Sequence, residues 1–217
     1  MSGIGDDLPT EAGFLDRSLR EEFPGLGLRY VLVDRGSGRT NRALKQRLRI
    51  LSDRFAGRQA IALRRRPIPS AYRVFFRHIG LDPDEQPTPV EEIALERMKK
   101  GGFVSRNLLD DALTVAIMES GVAIRAFDAD RVIAPLGLRL SRSGEALEGR
   151  PGKLPPGAIV VSDQRRPIGL LFGAIAAGRG VNPKTRRMLL SSIQVKGVPD
   201  IAVEEALWLA VEALETA

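Results

Sequence analysis

At 217 residues, with 43% hydrophobic and 28% charged content, the chain has a soluble globular composition and room for one large domain or two small ones. No cysteine and a single histidine exclude a disulfide framework and a thiolate or histidine-rich metal site, and no cofactor is expected. The 33 Lys+Arg against 27 Asp+Glu leave a net charge of +6, which permits a polyanionic partner without demanding one.

No apolar run approaches the roughly 18 residues of a membrane span, so no membrane partner is expected. The acidic opening MSGIGDDLPTEAG has no apolar core of a secretory signal, and the expected location is cytoplasmic. The first 24 residues read as irregular or partly helical, with Leu15, Leu19 and Phe23 hinting at one face and some mobility expected. Leu28–Asp34 is a strand pattern closed by the turn residues Arg35-Gly36-Ser37-Gly38.

Between Asn41 and Phe55, Leu44, Leu48, Leu51 and Phe55 recur at helical spacing, with Thr40 or Asn41 as the N-cap. Arg42, Lys45, Arg47, Arg49 and Arg54 cover the remainder, a face open to phosphate contact or to simple solvation. Arg64-Arg65-Arg66 is the densest basic cluster; a Ser70 cap then predicts a helix over Ala71–Ile79, closed at Gly80. Thr88-Pro89-Val90-Glu91 carries a capping box with proline in the first turn, starting a helix that runs to Lys100 before Gly101-Gly102.

Asn107–Asp128 predicts a helix opened by Asp110 and Asp111, stopped at Gly121, and followed by a buried strand over Val122–Phe127. Leu113, Ile117 and Met118 are the expected buried face of that helix. Strands are then expected at Asp130–Ile133, Leu136–Leu140, Ala158–Asp163 and Ile168–Phe172. Asn182-Pro183 reads as a cap and first turn. The last element is a helix from Asp200 to Ala217 with Ile201, Ala206, Leu207, Ala210 and Leu214 on its apolar face.

Several of these pieces, in order, resemble the B3/B4 domain of the phenylalanyl-tRNA synthetase β subunit and its free-standing relatives. They are Ala71-Tyr72-Arg73 with Phe75-Phe76, Gly80-Leu81-Asp82-Pro83, Thr88–Glu91, Asp111, Gly121, Ala126-Phe127-Asp128 and Gly180-Val181-Asn182. The resemblance spans about residues 68–205. It implies an α+β fold, an antiparallel or mixed sheet flanked by helices. Residues 1–66 are then an N-terminal strand-helix extension packed on the core, and 67–217 the B3/B4-like tRNA-binding and editing domain.

The function implied is binding of tRNA or aminoacyl-tRNA, extending to ester hydrolysis of a mischarged tRNA by a deacylase. Such chemistry asks for a positioned water, donors near the carbonyl and the tRNA's own terminal hydroxyl. The alternative is a non-enzymatic, degenerate B3/B4 domain that binds RNA or a small amino-acid-like ligand. The catalytic and anticodon modules are absent, so the chain is not expected to be a complete phenylalanine-tRNA ligase.

Residue by residue, the resemblance implies catalytic positions at Arg125, Asp111, Thr114 and Ser191. Arg125 stands where the family has a histidine, Thr114 where it has an asparagine, and Ser191 near a family glutamate. Pocket positions are implied at Asn107, Phe127, Asp128, Phe172 and Gly173, and RNA contacts at Arg64, Arg65, Arg66 and Arg73. Arg125 is open to two readings, a clamp on phosphate or carboxylate or an ion pair with Asp111 or Asp128. The lone histidine, His78, reads as packing or surface.

Overall fold

The computed structural model describes residues 9–216. Two four-stranded sheets lie between helices, an α+β arrangement. The first sheet has the order β1-β3-β8-β4, with β1 at Glu11–Ala12, β3 at Gly27–Val33, β8 at Met188–Gln194 and β4 at Ile124–Asp128, all neighbours antiparallel. The second has the order β2-β5-β6-β7, from Phe14–Leu15, Gly137–Leu140, Ile159–Ser162 and Pro167–Leu170. Only its β2–β5 pair is parallel. Residues 11–33 therefore contribute strands to both sheets, and β3 lies inside the first one.

Cross-strand register decides what each face of the first sheet sees. Residues directly opposite share a face, so Arg125, Ser191 and Tyr30 form one row across β4, β8 and β3. That row looks toward the second sheet. The neighbouring row, Ile124, Ser192 and Arg29, looks toward α7 (Asp200–Glu215), where Arg29 pairs with Glu204 at 3.0 Å. Helix α6 (Leu108–Ser120) packs on β4 and α7, and α2 (Arg42–Arg54) packs on α6.

The local signals explain most helix starts. Asn41 Oδ1 accepts from Leu44 N at 2.8 Å, and Leu44, Leu48 and Leu51 are buried as their spacing requires. The Thr88 capping box opens α5 (Pro89–Lys100), with Glu91 Oε2 accepting from Thr88 N at 3.2 Å. Gly121 ends α6 at φ +79, and a side chain there would strike the Pro69 ring at 3.1 Å.

Four features depart from the sequence expectation by more than a residue or two at a strand end. Helix α4 runs Pro67–His78, starting four residues early, because both prolines occupy first-turn positions whose N–H groups need no helical acceptor. Asp130–Ile133 is a turn, not a strand, held by Asp128 Oδ1 accepting from Asp130 N at 3.1 Å and by Asp163 Oδ2 accepting from Ile133 N at 3.2 Å. Asn182 closes a local turn through Lys184 N, and no helix follows it before β8. In α7, Ile201 is exposed, and Val203 takes the buried place beside Ala206, Leu207, Ala210 and Leu214.

The N-terminal stretch was expected to be irregular or partly helical; besides β1 and β2 it contains α1 (Arg17–Glu22), which buries Leu19. The expectation for residues 1–8 lies outside the described residues. A short segment, α3 (Arg58–Ala62) with a 3-10 turn at Leu63–Arg65, leads into α4. Among the described residues no helix is long and apolar enough to cross a membrane, and no cluster of His, Asp or Glu has the makings of a metal site.

Candidate functional site

The cavity with the character of a ligand site is a cleft of about 680 Å³ between the end of α4, the end of α1 and the second sheet. Its walls come from Phe23, Ile79 and Leu81 on the helical side and from Leu140, Ala158 and Leu171–Gly173 on the strand side. Glu22, His78 and Gln86 are its polar lining. A mostly apolar cleft with a few polar groups is what small-molecule recognition uses.

Phe172 anchors the strand wall. Its ring lies 4.8 Å from that of Phe76, 6.1 Å from Tyr72 and 6.2 Å from Phe75. These aromatic side chains project from one helix, so α4 sets both the shape of the cleft and the place of His78. Tyr72 is itself pinned: its hydroxyl donates to Ile193 O and accepts from Ala123 N at 3.1 Å, and burial raises its pKa.

Of the residues expected at the site, Phe172 and Gly173 line the cleft. Arg125 stands behind the wall. Its Nη1 donates to Leu170 O at 2.8 Å and its Nη2 to Gly173 O at 2.9 Å, so the guanidinium ties down both ends of the cleft-lining turn. Burial lowers its pKa, with Glu92 opposing. Among the described residues Arg125 has no ion pair, which leaves neither Asp111 nor Asp128 as its partner. Ser191, opposite Arg125 and 1% exposed, donates to Arg125 O at 3.3 Å.

The remaining expected positions sit elsewhere. Asp111 is buried at the head of α6 and accepts from Thr40 Oγ1, from Ser105 Oγ at 2.6 Å and from Arg106 N at 2.9 Å. Thr114 donates to Asp110 O at 2.7 Å, and Asn107 caps the helix through Asp110 N at 3.0 Å. Asp111 and Thr114 border only a small cavity of about 30 Å³. Phe127 is fully buried, and Asp128 accepts from Thr185 Oγ1 at 2.6 Å.

The expected RNA-contact arginines also separate. Arg73 is buried, bonded to Glu91 at 2.7 Å and to Asp84 at 2.6 Å, so its charge is spent inside the fold. Arg64, Arg65 and Arg66 are exposed; Arg64 lies 3.8 Å from Asp84, and Arg66 sits 5.1 Å above the Phe55 ring.

A sequence profile of the B3/4 domain matches residues 71–205. The chain belongs to the B3/4 domain family. The match takes in most of α4, all of α5 and α6, the second sheet from β5 onward and the first six residues of α7, and with them nearly all of the cleft.

Among curated relatives, this B3/4 protein is 31% identical over 102 residues to a phenylalanine–tRNA ligase beta subunit of Pasteurella multocida, covering 45% of the chain and 13% of that subunit. It is 39% identical over 94 residues to the corresponding subunit of Xylella fastidiosa, covering 42% and 12%. With that of Xanthomonas euvesicatoria it shares 34% over 118 residues, covering 52% and 14%. The alignments thus span about an eighth of each relative's length.

Sequence reasoning found the family and named Phe172 and Gly173, but it missed the helical wall of the cleft and, beside Phe172, Leu140 and Ala158. The available signal was the pair Phe75-Phe76, one helical turn from His78 in a helix followed by Gly80. Leu140 and Ala158 had no such signal, because only strand pairing brings them beside α4.

Proposed function

We propose that this B3/4 protein binds tRNA or aminoacyl-tRNA and takes the aminoacylated 3′ end into the cleft beside Phe172. The observation that carries the reading is the cleft itself: about 680 Å³, apolar in its walls, polar at Glu22, His78 and Gln86, and built, Glu22 and Phe23 apart, from the family's matched span. An amino-acid side chain suits the apolar walls, and its α-amino group suits the Glu22 carboxylate. The named ligand of the relatives, a tRNA, supplies the rest of the substrate class.

The finer reading is hydrolysis of the ester on a mischarged tRNA. Asp111, Thr114, Ser191 and Arg125 are all committed to hydrogen bonds within the fold. We assign them to holding the architecture, with Arg125 a positioning residue for the wall of the cleft. Deacylation then rests on a water held at the cleft and on the terminal hydroxyl of the tRNA. The same commitment of side chains favours the second reading, a domain that holds the aminoacyl end without cleaving it.

A panel of tRNAs, each charged with a wrong amino acid, separates the two. Ester loss above the buffer rate for one member, reduced in Arg125→Ala at unchanged tRNA affinity, establishes the editing reading. Tight binding with no ester loss across the panel establishes the binding reading. Absence of binding to any charged or uncharged tRNA sinks both.

A further inference from the structure

Positive charge is not spread evenly along this chain. Residues 131–187 hold 11 Lys and Arg against 3 Asp and Glu, whereas the rest of the chain holds 22 against 24. The segment that builds the second sheet and its loops therefore carries more than the whole net charge of +6.

The fold gathers part of that charge at one place. An open hollow of about 660 Å³ is lined by Glu148, Arg150, Arg165, Arg166 and neighbouring backbone. The exposed Glu148 carboxylate bridges Arg166 at 2.9 Å and Arg179 at 2.6 Å, and Arg179 reaches on to the carbonyl of Arg131. Arg166 and Arg179 are thus joined through one carboxylate, which shows how an anionic oxygen is held between two guanidinium groups. Arg165 and Arg150, the latter bonded to Ile175 O at 2.9 Å, line the same hollow as a band of cations. Beneath the band, Leu147, Leu154, Val160 and Ala176 form a small separate core that keeps the loops in place.

The cations stand on a rigid turn. Asp163 Oδ1 accepts from Arg165 N at 2.8 Å and from Arg166 N at 2.9 Å, and Ser162 Oγ donates to Arg166 O at 2.9 Å. Arg165 and Arg166 are thus presented outward from a fixed backbone, which lowers the ordering cost of binding. The hollow also runs toward the cleft. Strand β7 begins at Pro167 in the hollow and ends at Leu170 in the cleft, roughly 10 Å away at the usual strand rise. The loop joining β5 to β6 likewise has its ends in the cleft and its tip, Ala146–Arg150, in the hollow.

We infer that the surface around Arg150, Arg165 and Arg166 is the face that contacts RNA phosphates, leading the strand's end into the cleft. The inference deepens the tRNA-binding reading above and rests on it. It also relocates the contact from Arg64–Arg66, whose surroundings are less one-sided: residues 58–100 hold 9 Lys and Arg against 6 Asp and Glu, and Asp84 lies near Arg64 and Arg77.

The test measures binding of uncharged tRNA from about 50 to about 300 mM KCl for the natural protein, for R150Q/R165Q/R166Q and for R64Q/R65Q/R66Q. Each lost phosphate contact lowers the slope of log affinity against log salt by about 0.7–0.9. The first triple variant is expected to lose a slope of about 2 and at least about tenfold in affinity near 100 mM salt, with an unchanged melting curve. The second is expected to change affinity less than about twofold.

Equal losses in both variants, or a loss only in the second, overturn the assignment while leaving tRNA binding intact. A natural protein that binds no tRNA overturns the parent reading as well. Tighter binding to phosphatidylglycerol vesicles than to tRNA, lost in the first variant, overturns the choice of partner.

Discussion

The two sheets treat charge in opposite ways. Around the first sheet and its helices, several charged side chains are buried and closed on partners: Arg73 with Glu91, Asp111 with three donors, Asp128 with Thr185. Around the second sheet, most cations stay outside on loops, and a single exposed carboxylate, Glu148, serves two of them. The contrast teaches where an excess of arginine is structural and where it is left available. It also yields separable predictions, since removing a buried, paired charge such as that of Arg73 destabilises the fold and removing an exposed one such as that of Arg165 spares it.

The largest effect is expected at Arg73. Arg73→Ala leaves Glu91 buried and unpaired, which costs about 3–5 kcal/mol for a broken buried pair. In a chain of this size that lowers Tm by roughly 6–20 °C in a thermal melt. Next comes Asp111→Ala, which strands the donors Thr40, Ser105 and Arg106 and costs about 1–3 kcal/mol by denaturant titration. A loss there below about 0.5 kcal/mol would contradict the anchoring role.

Acid is a gentler probe of the same contrast. Glu145 is held below its ordinary pKa, first by its hydrogen bond from Arg139, which it meets at 2.6 Å. A carboxyl whose folded pKa is depressed contributes stability above its unfolded pKa and loses it as pH falls through the folded value. Stability is therefore expected to be flat from about pH 7 to about pH 5 and to decline below about pH 4.3, with Glu145→Gln flattening that decline. The smallest effect on stability is expected at Arg165→Gln, whose melting curve should overlay that of the natural protein. A clear drop there would erase the distinction between the two regions.

Legibility in the sequence followed the range of the interactions. The stripe Leu44-Leu48-Leu51, the Thr88 capping box and the Gly121 stop act within one or two helical turns, and each was readable. The start of α4 differs because Ser70 reads as the cap, although Pro67 and Pro69 fit first-turn positions ahead of it. Asp130–Ile133 looked extended by composition, but Asp163, 30 positions beyond Ile133, supplies a side chain that holds the turn.

The geometry of the cleft and of the basic hollow was harder to read for the same reason. The run Arg64-Arg65-Arg66 advertises itself in sequence, yet it sits among Asp84 and its neighbours. Arg150, Arg165, Arg166 and Arg179 are scattered over 30 positions and meet only through strand pairing and the loop core. Arg125 is expected from the resemblance as a catalytic position, while its bonds to Leu170 O and Gly173 O depend on a register between sheets that no local pattern encodes.

Whether the cleft receives the aminoacyl end is tested directly by one comparison. Affinity for an aminoacylated tRNA and for the same tRNA uncharged is measured in the natural protein and in Ala158→Trp, which fills the cleft from its strand wall. The account predicts a preference for the charged form in the natural protein, lost in the variant while salt-sensitive binding of both forms persists. A natural protein with no such preference, or a variant that keeps it with the cleft filled, would contradict the assignment.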